Sequence, residues 1–319
     1  RSKIEYYWSH VAVVVALQYG FHLKPPKSLP EAEKRIRKRL WWILYYRDRS
    51  LAFGYSRPSI INLKECEHDD LELEELKQSG FTKLESLYII YLVKFGKLFD
   101  KINTIQQDIT KSYLSGKPVL HLMKKCDSTM IKFLGSFPKE LKFSFKEPSS
   151  QSFLSTMIMS HYYTLLIVIH RANILRHTTD NYPSWAISFQ AVLYIKSMSD
   201  CLVSKQMISK VAVLSHNTLT TSAIIMLYHL LNEDPKVSEI AKAFFLRVLG
   251  IWRSSYKKFP SCYPMLCIFG NLYNSEQYLK EVVKSVAPKD KGREKVETEN
   301  YNIDEKSSRS LKLPDLSFI

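Results

Sequence analysis

Apolar residues recur at three- and four-residue spacing from residue 3 to residue 286, and the breaks in that rhythm fall on glycine, proline or short polar runs. A period near 3.6 keeps one stripe of a helix against a core, whereas a strand alternates at every second residue. The pattern predicts an all-α fold, an irregular bundle of roughly ten helices. Helices are expected over residues 3–19, 30–53, 82–113, 119–137, 152–177, 184–203, 207–231 and 235–257, with shorter pieces at 263–272 and 275–286. The second carries the usual punctuation, with Pro30 at its start, Glu31 and Glu33 in its first turn and Gly54 just past its end. Glycine is scarce, at 9 of 319 residues. Dinucleotide folds and phosphate-binding loops need glycine for tight turns and close backbone approach, and helical bundles need little. The chain therefore reads as something other than a nucleotide-handling α/β enzyme.

The helical part, residues 1–287, is read as one domain. Residues 288–319 hold seven basic and seven acidic residues with few apolar ones, and are expected to form a disordered polar tail. No apolar run reaches the ~18–20 residues of a bilayer span, so no membrane partner is expected. The five cysteines, Cys66, Cys126, Cys201, Cys262 and Cys267, are odd in number and scattered, which suits free thiols in a reducing compartment. No CxxC pair occurs, and no metal or cofactor is expected in these residues. The chain opens on Arg1 rather than Met, and a preceding segment is expected. Its 46 basic and 31 acidic residues give +15, a balance that favours acidic partners such as nucleic acid without naming one.

No catalytic residue is assigned, because G-x-S-x-G, G-x-x-x-x-G-K, G-x-G-x-x-G and H-E-x-x-H are all missing. His170 and His177 lie seven apart on one helix face, and Cys66 lies two residues from His68. A metal site needs three or four converging ligands, so these are read as partly exposed histidines and a loop cysteine. The stretch 55–79 reads as a loop, with seven acidic residues between Glu65 and Glu75. It lacks the turn glycine of a calcium loop, which leaves a solvated acidic face or a set of partners for nearby arginines.

The densest constellation is K-R-I-R-K-R-L-W-W-I-L-Y-Y-R-D-R-S-L-A-F-G-Y-S-R-P, from Lys34 to Pro58, with eight basic residues against one acid, Asp48. In one reading it is a nucleic-acid surface, with arginines on phosphates and Trp41, Trp42, Tyr45 and Tyr46 on bases. In the other the aromatics are core, and Asp48 between Arg47 and Arg49 joins a buried ion-pair network. The second is the stronger, since a solvated helix would leave two adjacent indoles in water.

Arg39 to Ile61, R-L-W-W-I-L-Y-Y-R-D-R-S-L-A-F-G-Y-S-R-P-S-I-I, closely resembles the fungal-specific transcription factor domain, the middle regulatory region of fungal zinc-cluster transcription factors. Arg39, Trp41, Trp42, Asp48, Arg49, Gly54, Arg57, Pro58 and Ile60 carry the resemblance, with Tyr55 and Ser56 inserted between Gly54 and Arg57. The R-D-R form is most similar to the cutinase and fatty-acid-response branch. Weaker likenesses lie in A-L-Q-Y-G-F-H-L, ending at Leu23, and in L-L-I-V-I-H-R-A-N-I-L, ending at Leu175.

The resemblance implies a nuclear regulator of RNA polymerase II transcription. It would bind DNA through a zinc cluster N-terminal to this region, so zinc belongs to that segment and not to this chain. It also implies contact with the transcription machinery and leaves open a homodimer and a hydrophobic small-molecule effector. Tyr162, Tyr163 and His229, polar tips on the otherwise apolar helices 152–177 and 207–231, are the candidate effector pocket, against the plainer reading of a packed core. The alternative function is a DNA-associated scaffold subunit of the centromere-binding type, built on the same domain.

Overall fold

The computed structural model describes residues 2–55, 57–176, 182–207 and 212–286. His177 and the expected tail at 288–319 lie outside the described residues. Eleven α-helices and no strand occur among those described: α1 (Ser2–Gln18), α2 (Glu31–Tyr55), α3 (Leu73–Gln78), α4 (Lys83–Leu114), α5 (Leu120–Gly135), α6 (Phe153–Arg176), α7 (Ser184–Ser204), α8 (Ala212–His229), α9 (Pro235–Ser255), α10 (Cys262–Asn274) and α11 (Glu276–Val286).

Local chemistry sets the ends of these helices. Thr82 and Glu85 form a reciprocal capping box at the start of α4, with Thr82 N–H on Glu85 Oε2 at 2.8 Å and Glu85 N–H on Thr82 Oγ1 at 3.3 Å. Past its end Gly116 takes φ +67°, and Lys117 N–H reaches back to the Ser112 carbonyl at 2.8 Å. Asp234 caps α9 by accepting from Lys236 N–H at 2.9 Å, with Pro235 in the first helical position.

Two local expectations change. Helix α2 runs through Gly54 to Tyr55 instead of stopping before the glycine. The acidic stretch is not a loop throughout, because α3 forms inside it, where Glu75 accepts from Glu72 N–H at 3.3 Å.

The described residues fall into two compact units, Arg1–Ser144 with Ser150–Met159, and Phe145–Ser149 with Ser160–Ile319. In the first, α2 packs on α1 and α4, and α4 also packs on α3 and α5. Its core joins Val13 of α1, Trp41, Trp42 and Tyr45 of α2, Val93 of α4, and Ile61 and Leu71 from the connection between α2 and α3. A second aromatic group sets Phe95 edge-on to Phe133 at 4.7 Å and Tyr91 against Phe137 at 4.7 Å.

In the second unit successive helices from α7 to α11 pack on one another. Trp252 lies 5.2 Å from Phe269, and Phe245 stacks on Tyr273 at 5.7 Å. One stretch, Phe153–Ile174, is long and apolar enough to cross a membrane by length and composition, although His161, His170 and Arg171 interrupt its sequence. Its most apolar window is 72% buried inside the protein, as befits a core helix.

Candidate functional site

The site grows from one face of α2. Trp41, Tyr45, Asp48 and Ala52 share that face, and all four are buried. Ile36 and Leu40, on the neighbouring stripe, are each 45% exposed. Burying two indoles requires partners for their N–H groups. Trp41 Nε1–H donates to Cys66 Sγ at 3.0 Å, and Trp42 Nε1–H donates to the Asp69 carbonyl at 3.0 Å. His68 Nε2 lies 2.9 Å from the Phe21 carbonyl, so Cys66 and His68 serve the packing of this segment.

Asp48 is the node of the polar network. Beyond α2 the chain folds back so that the N–H groups of Ile60 and Ile61 donate to its carboxylate at 3.1 and 3.0 Å. Arg49 donates to it at 2.7 Å through Nη1, and its Nη2 donates to the Ile61 carbonyl. Arg49 Nε pairs with Asp100 of α4 at 2.6 Å, and Tyr45 Oη donates to the same carboxylate at 2.9 Å. The guanidinium also lies 4.8 Å from the Tyr45 ring centroid. Burial, reinforced by Asp100, pushes the Tyr45 hydroxyl up, so it stays a proton donor. His10 of α1 approaches Asp48 at 3.9 Å. The pairs named here all lie within the same unit, which makes the network a clamp.

The rest of the R-P turn is held in the same way. Arg57 N–H donates to the Ala52 carbonyl at 2.9 Å, and its guanidinium sits 4.8 Å over the Tyr6 ring. Tyr6 Oη donates to the Pro58 carbonyl at 2.8 Å. Arg39 lies 5.1 Å over Phe81. Sequence reasoning did not find Tyr6, His10, Asp100 or Gly96. A Cβ on Gly96 would stand 2.8 Å from Tyr45 Cε1, so glycine permits the close approach of α4 to α2. An isolated glycine inside the pattern of α4 was the available signal.

Much of the positive charge of α2 is neutralised locally. Lys34 pairs with Glu31 at 2.7 Å, Arg37 with Glu33 at 3.0 Å, and Lys38 with Glu75 at 2.9 Å. The acidic run meets lysines where arginines were the expected partners: Asp70 pairs with Lys97, Glu74 with Lys77 and Glu75 with Lys38. Glu67 accepts from Lys24 N–H at 3.0 Å. An open cleft beside the first turns of α2 is lined by both signs, including Lys24, Arg35, Lys38, Glu67 and Glu75. Among the described residues no cluster of three or more His, Cys, Asp or Glu is placed to hold a metal.

Tyr162 and Tyr163 are buried, with Tyr163 packed on Tyr194 at 4.8 Å and edge-on to Tyr162 at 5.2 Å. His229 lies in another aromatic group, 4.7 Å from Phe189 and 5.5 Å from Trp185. Burial pushes His229 down to about 4. His170 is fully buried, contrary to its expected partial exposure, and Nδ1 lies 3.1 Å from Ser184 Oγ.

Comparison with known proteins finds a similarity in the stretch that holds the clamp. Residues 1–140 match the fungal specific transcription factor domain, a stretch that nearly coincides with the long segment of the first unit. The chain is 27% identical over 260 residues to cutinase transcription factor 1 alpha of Fusarium vanettenii, covering 76% of this chain and 28% of that protein. It is 25% identical over 171 residues to the acetamidase regulatory protein of Aspergillus fumigatus, covering 53% of this chain and 21% of that one. Cutinase transcription factor 1 beta of Fusarium vanettenii is 32% identical over 81 residues, 25% of this chain and 9% of the relative. The chain thus spans roughly a quarter or less of the length of these relatives. No solved structure matches it. The family match falls on residues 1–140, the stretch that holds Trp41, Asp48, Arg49 and Asp100.

Proposed function

We propose that the chain is a non-enzymatic regulatory region of a fungal zinc-cluster transcription factor, acting in the nucleus on RNA polymerase II transcription. The observation that carries this reading is the buried Trp41, Asp48 and Arg49, tied to Asp100, inside the stretch that matches the family. Relatives named as a cutinase transcription factor and an acetamidase regulatory protein support it. DNA would be reached through a zinc-cluster segment outside this sequence, and this region would pass a signal to the transcription machinery. A folded helical body suits that task, because its surface can restrain or release a partner without chemistry of its own.

The test is to tether the chain to an unrelated DNA-binding module upstream of a reporter in a fungal cell. Reporter output should differ from that of the module alone, and Asp48→Ala should abolish the difference by unfolding the region. Identical output from a chain shown to be folded and nuclear would overturn the reading.

A hydrophobic effector seated by Tyr162, Tyr163 and His229 would extend this function. The rings would have to part to admit it, since Tyr162 and Tyr163 are buried in ring contacts. A ligand at ~100 times its Kd adds about 2.7 kcal/mol, which a thermal melt resolves. Fatty acids that leave the melting temperature unchanged at every chain length would remove the effector from the proposal.

A further inference from the structure

The outward face of α5 is basic and is bordered by apolar side chains. Leu120, His121, Lys124, Lys125, Ile131 and Lys132 are exposed, and helical spacing puts them on one side of the helix. Met123, Cys126 and Met130 are buried on the other side. Leu120 and Ile131 are 42% and 50% exposed. The turn that leads into α5 continues the pattern. Tyr113 and Leu114, at the end of α4, are 44% and 78% exposed, and Lys117 is exposed between them and Leu120. Between Asp108 and Asp127 the sequence holds Lys111, Lys117, Lys124 and Lys125 and no acid. Asp127, the one acid of α5, is half-buried. Among the described residues no ion pair engages Lys117, Lys124, Lys125 or Lys132, whereas Lys34 and Lys38 of α2 are both paired. Folding of the first unit therefore leaves free cations and large apolar side chains together at this corner.

We propose that this α4–α5 corner docks an acidic amphipathic helix of a partner protein, one that carries bulky apolar side chains between carboxylates. Charge complementarity sets the sign of the partner, since the exposed side of α5 offers lysines and no acid. The apolar border sets its class. A duplex would take up the lysines through its phosphates and leave Leu114, Leu120 and Ile131 in water. A second copy of the same face would set lysine against lysine. An acidic helix uses both features. Leu120 and Ile131 lie eleven residues apart on one line of the helix, about 17 Å, which matches apolar anchors three turns apart on a partner. The lysine stems lie beside that line and extend the apolar contact while their heads meet carboxylates. A face only 16 residues long gives an interface at the small end of the specific range, and so a transient complex. Docking at α5 requires nothing of the regulatory reading, so either can fail alone.

The test is fluorescence anisotropy of the full 319-residue chain with a labelled synthetic peptide, as long as α5, that carries Leu and Phe at helical spacing and Asp and Glu elsewhere. A Kd of order 10 μM at physiological salt is expected. A peptide with Ser in place of Leu and Phe should bind about tenfold more weakly or worse. The variants K124E/K125E/K132E and L120S/I131S should each weaken the parent peptide by about tenfold or more, with unchanged melting temperatures, since all five side chains are exposed. A peptide with Lys and Arg in place of its acids should bind K124E/K125E/K132E better than it binds the unmodified chain. No binding of the acidic peptide at millimolar concentration would overturn the proposal. Binding that both variants leave intact would overturn it by placing the site elsewhere. Equal binding of the peptide without apolar residues, or tighter binding of duplex DNA that K124E/K125E/K132E removes, would overturn it in favour of a plain polyanion site.

Discussion

Asp48 shows why a single carboxylate matters at the residue scale. It is 1% exposed, and two backbone N–H groups and one guanidinium donate to it, so removing it orphans several donors at once. Breaking a buried pair from one side typically costs about 3–5 kcal/mol, and Asp48→Ala is expected in that range by urea unfolding. Trp41→Ala should cost a similar ~3–5 kcal/mol through the cavity it leaves. Asp100→Asn should cost less than either, because its side chain is 44% exposed and water can replace part of what is lost. Equal stability for the Asp48→Ala variant and the parent would show that the clamp is ornamental. His229 gives a pH-dependent counterpart. Its folded value of about 4 lies below the usual 6.5, so the unfolded chain takes up a proton first as the pH falls. The stability conferred by the neutral ring is complete above pH 6.5 and is lost as the pH falls toward 4. The loss at pH 5 should be of order 1–2 kcal/mol, and His229→Gln should remove that share of the slope of stability against pH, leaving the share of His161, which burial also pushes down to about 4.

At the element scale, the approach of α2 to α4 turns on one glycine, and this sets up a pair of substitutions with opposite signs. In an open helical position glycine to alanine gains up to about 1 kcal/mol of helix propensity. Gly250 in α9 is such a position, with nothing within 4 Å of an added Cβ, and Gly250→Ala should raise stability by roughly that amount. At Gly96 the same change drives a methyl to 2.8 Å from the Tyr45 ring. That ring is held by the Asp100 hydrogen bond and the Arg49 guanidinium, so it cannot swing away cheaply. Overpacking costs about 1–3 kcal/mol, which outweighs the propensity gain, and Gly96→Ala should lower the melting temperature. These two glycines also mark how far the sequence could be read. The long helices follow from periodicity and punctuation, since each is decided by residues three or four apart. Helix α3 was missed because it is only six residues long and half of them are charged, and its start depends on Glu75 reaching back to Glu72 N–H. Trp41, Asp48 and Arg49 could be picked out because they share one segment. Asp100 lies 51 residues beyond its partner Arg49, and Tyr6 reaches Pro58 across 52 positions. No local spacing encodes such pairings, which exist only once α1, α2 and α4 have packed.

For the whole molecule, the question is what +15 does when its densest basic segment is occupied internally. The segment Lys34–Pro58 accounts for a net +7 of the excess. In the folded protein Lys34, Arg37, Lys38 and Arg49 each pair with an acid of the same unit. Its aromatic residues Trp41, Trp42 and Tyr45 are buried and cannot stack on bases. A nucleic acid would therefore meet scattered lysines and arginines, Arg35, Arg39, Arg47 and Arg57 among them, without the buried indoles as a platform for reading sequence. Binding to duplex DNA should be non-specific, with a Kd of order 10⁻⁴–10⁻⁶ M at physiological salt. It should weaken steeply as salt rises, since each neutralised phosphate contributes about −0.9 to the slope of log K against log salt. Fluorescence anisotropy with several unrelated duplexes measures both quantities. Equal affinities across sequences together with a steep salt slope are the expected result. Nanomolar binding to one sequence over the others would mean that the basic helix opens its ion pairs to read DNA, and that α2 has a second conformation in which its charges are free.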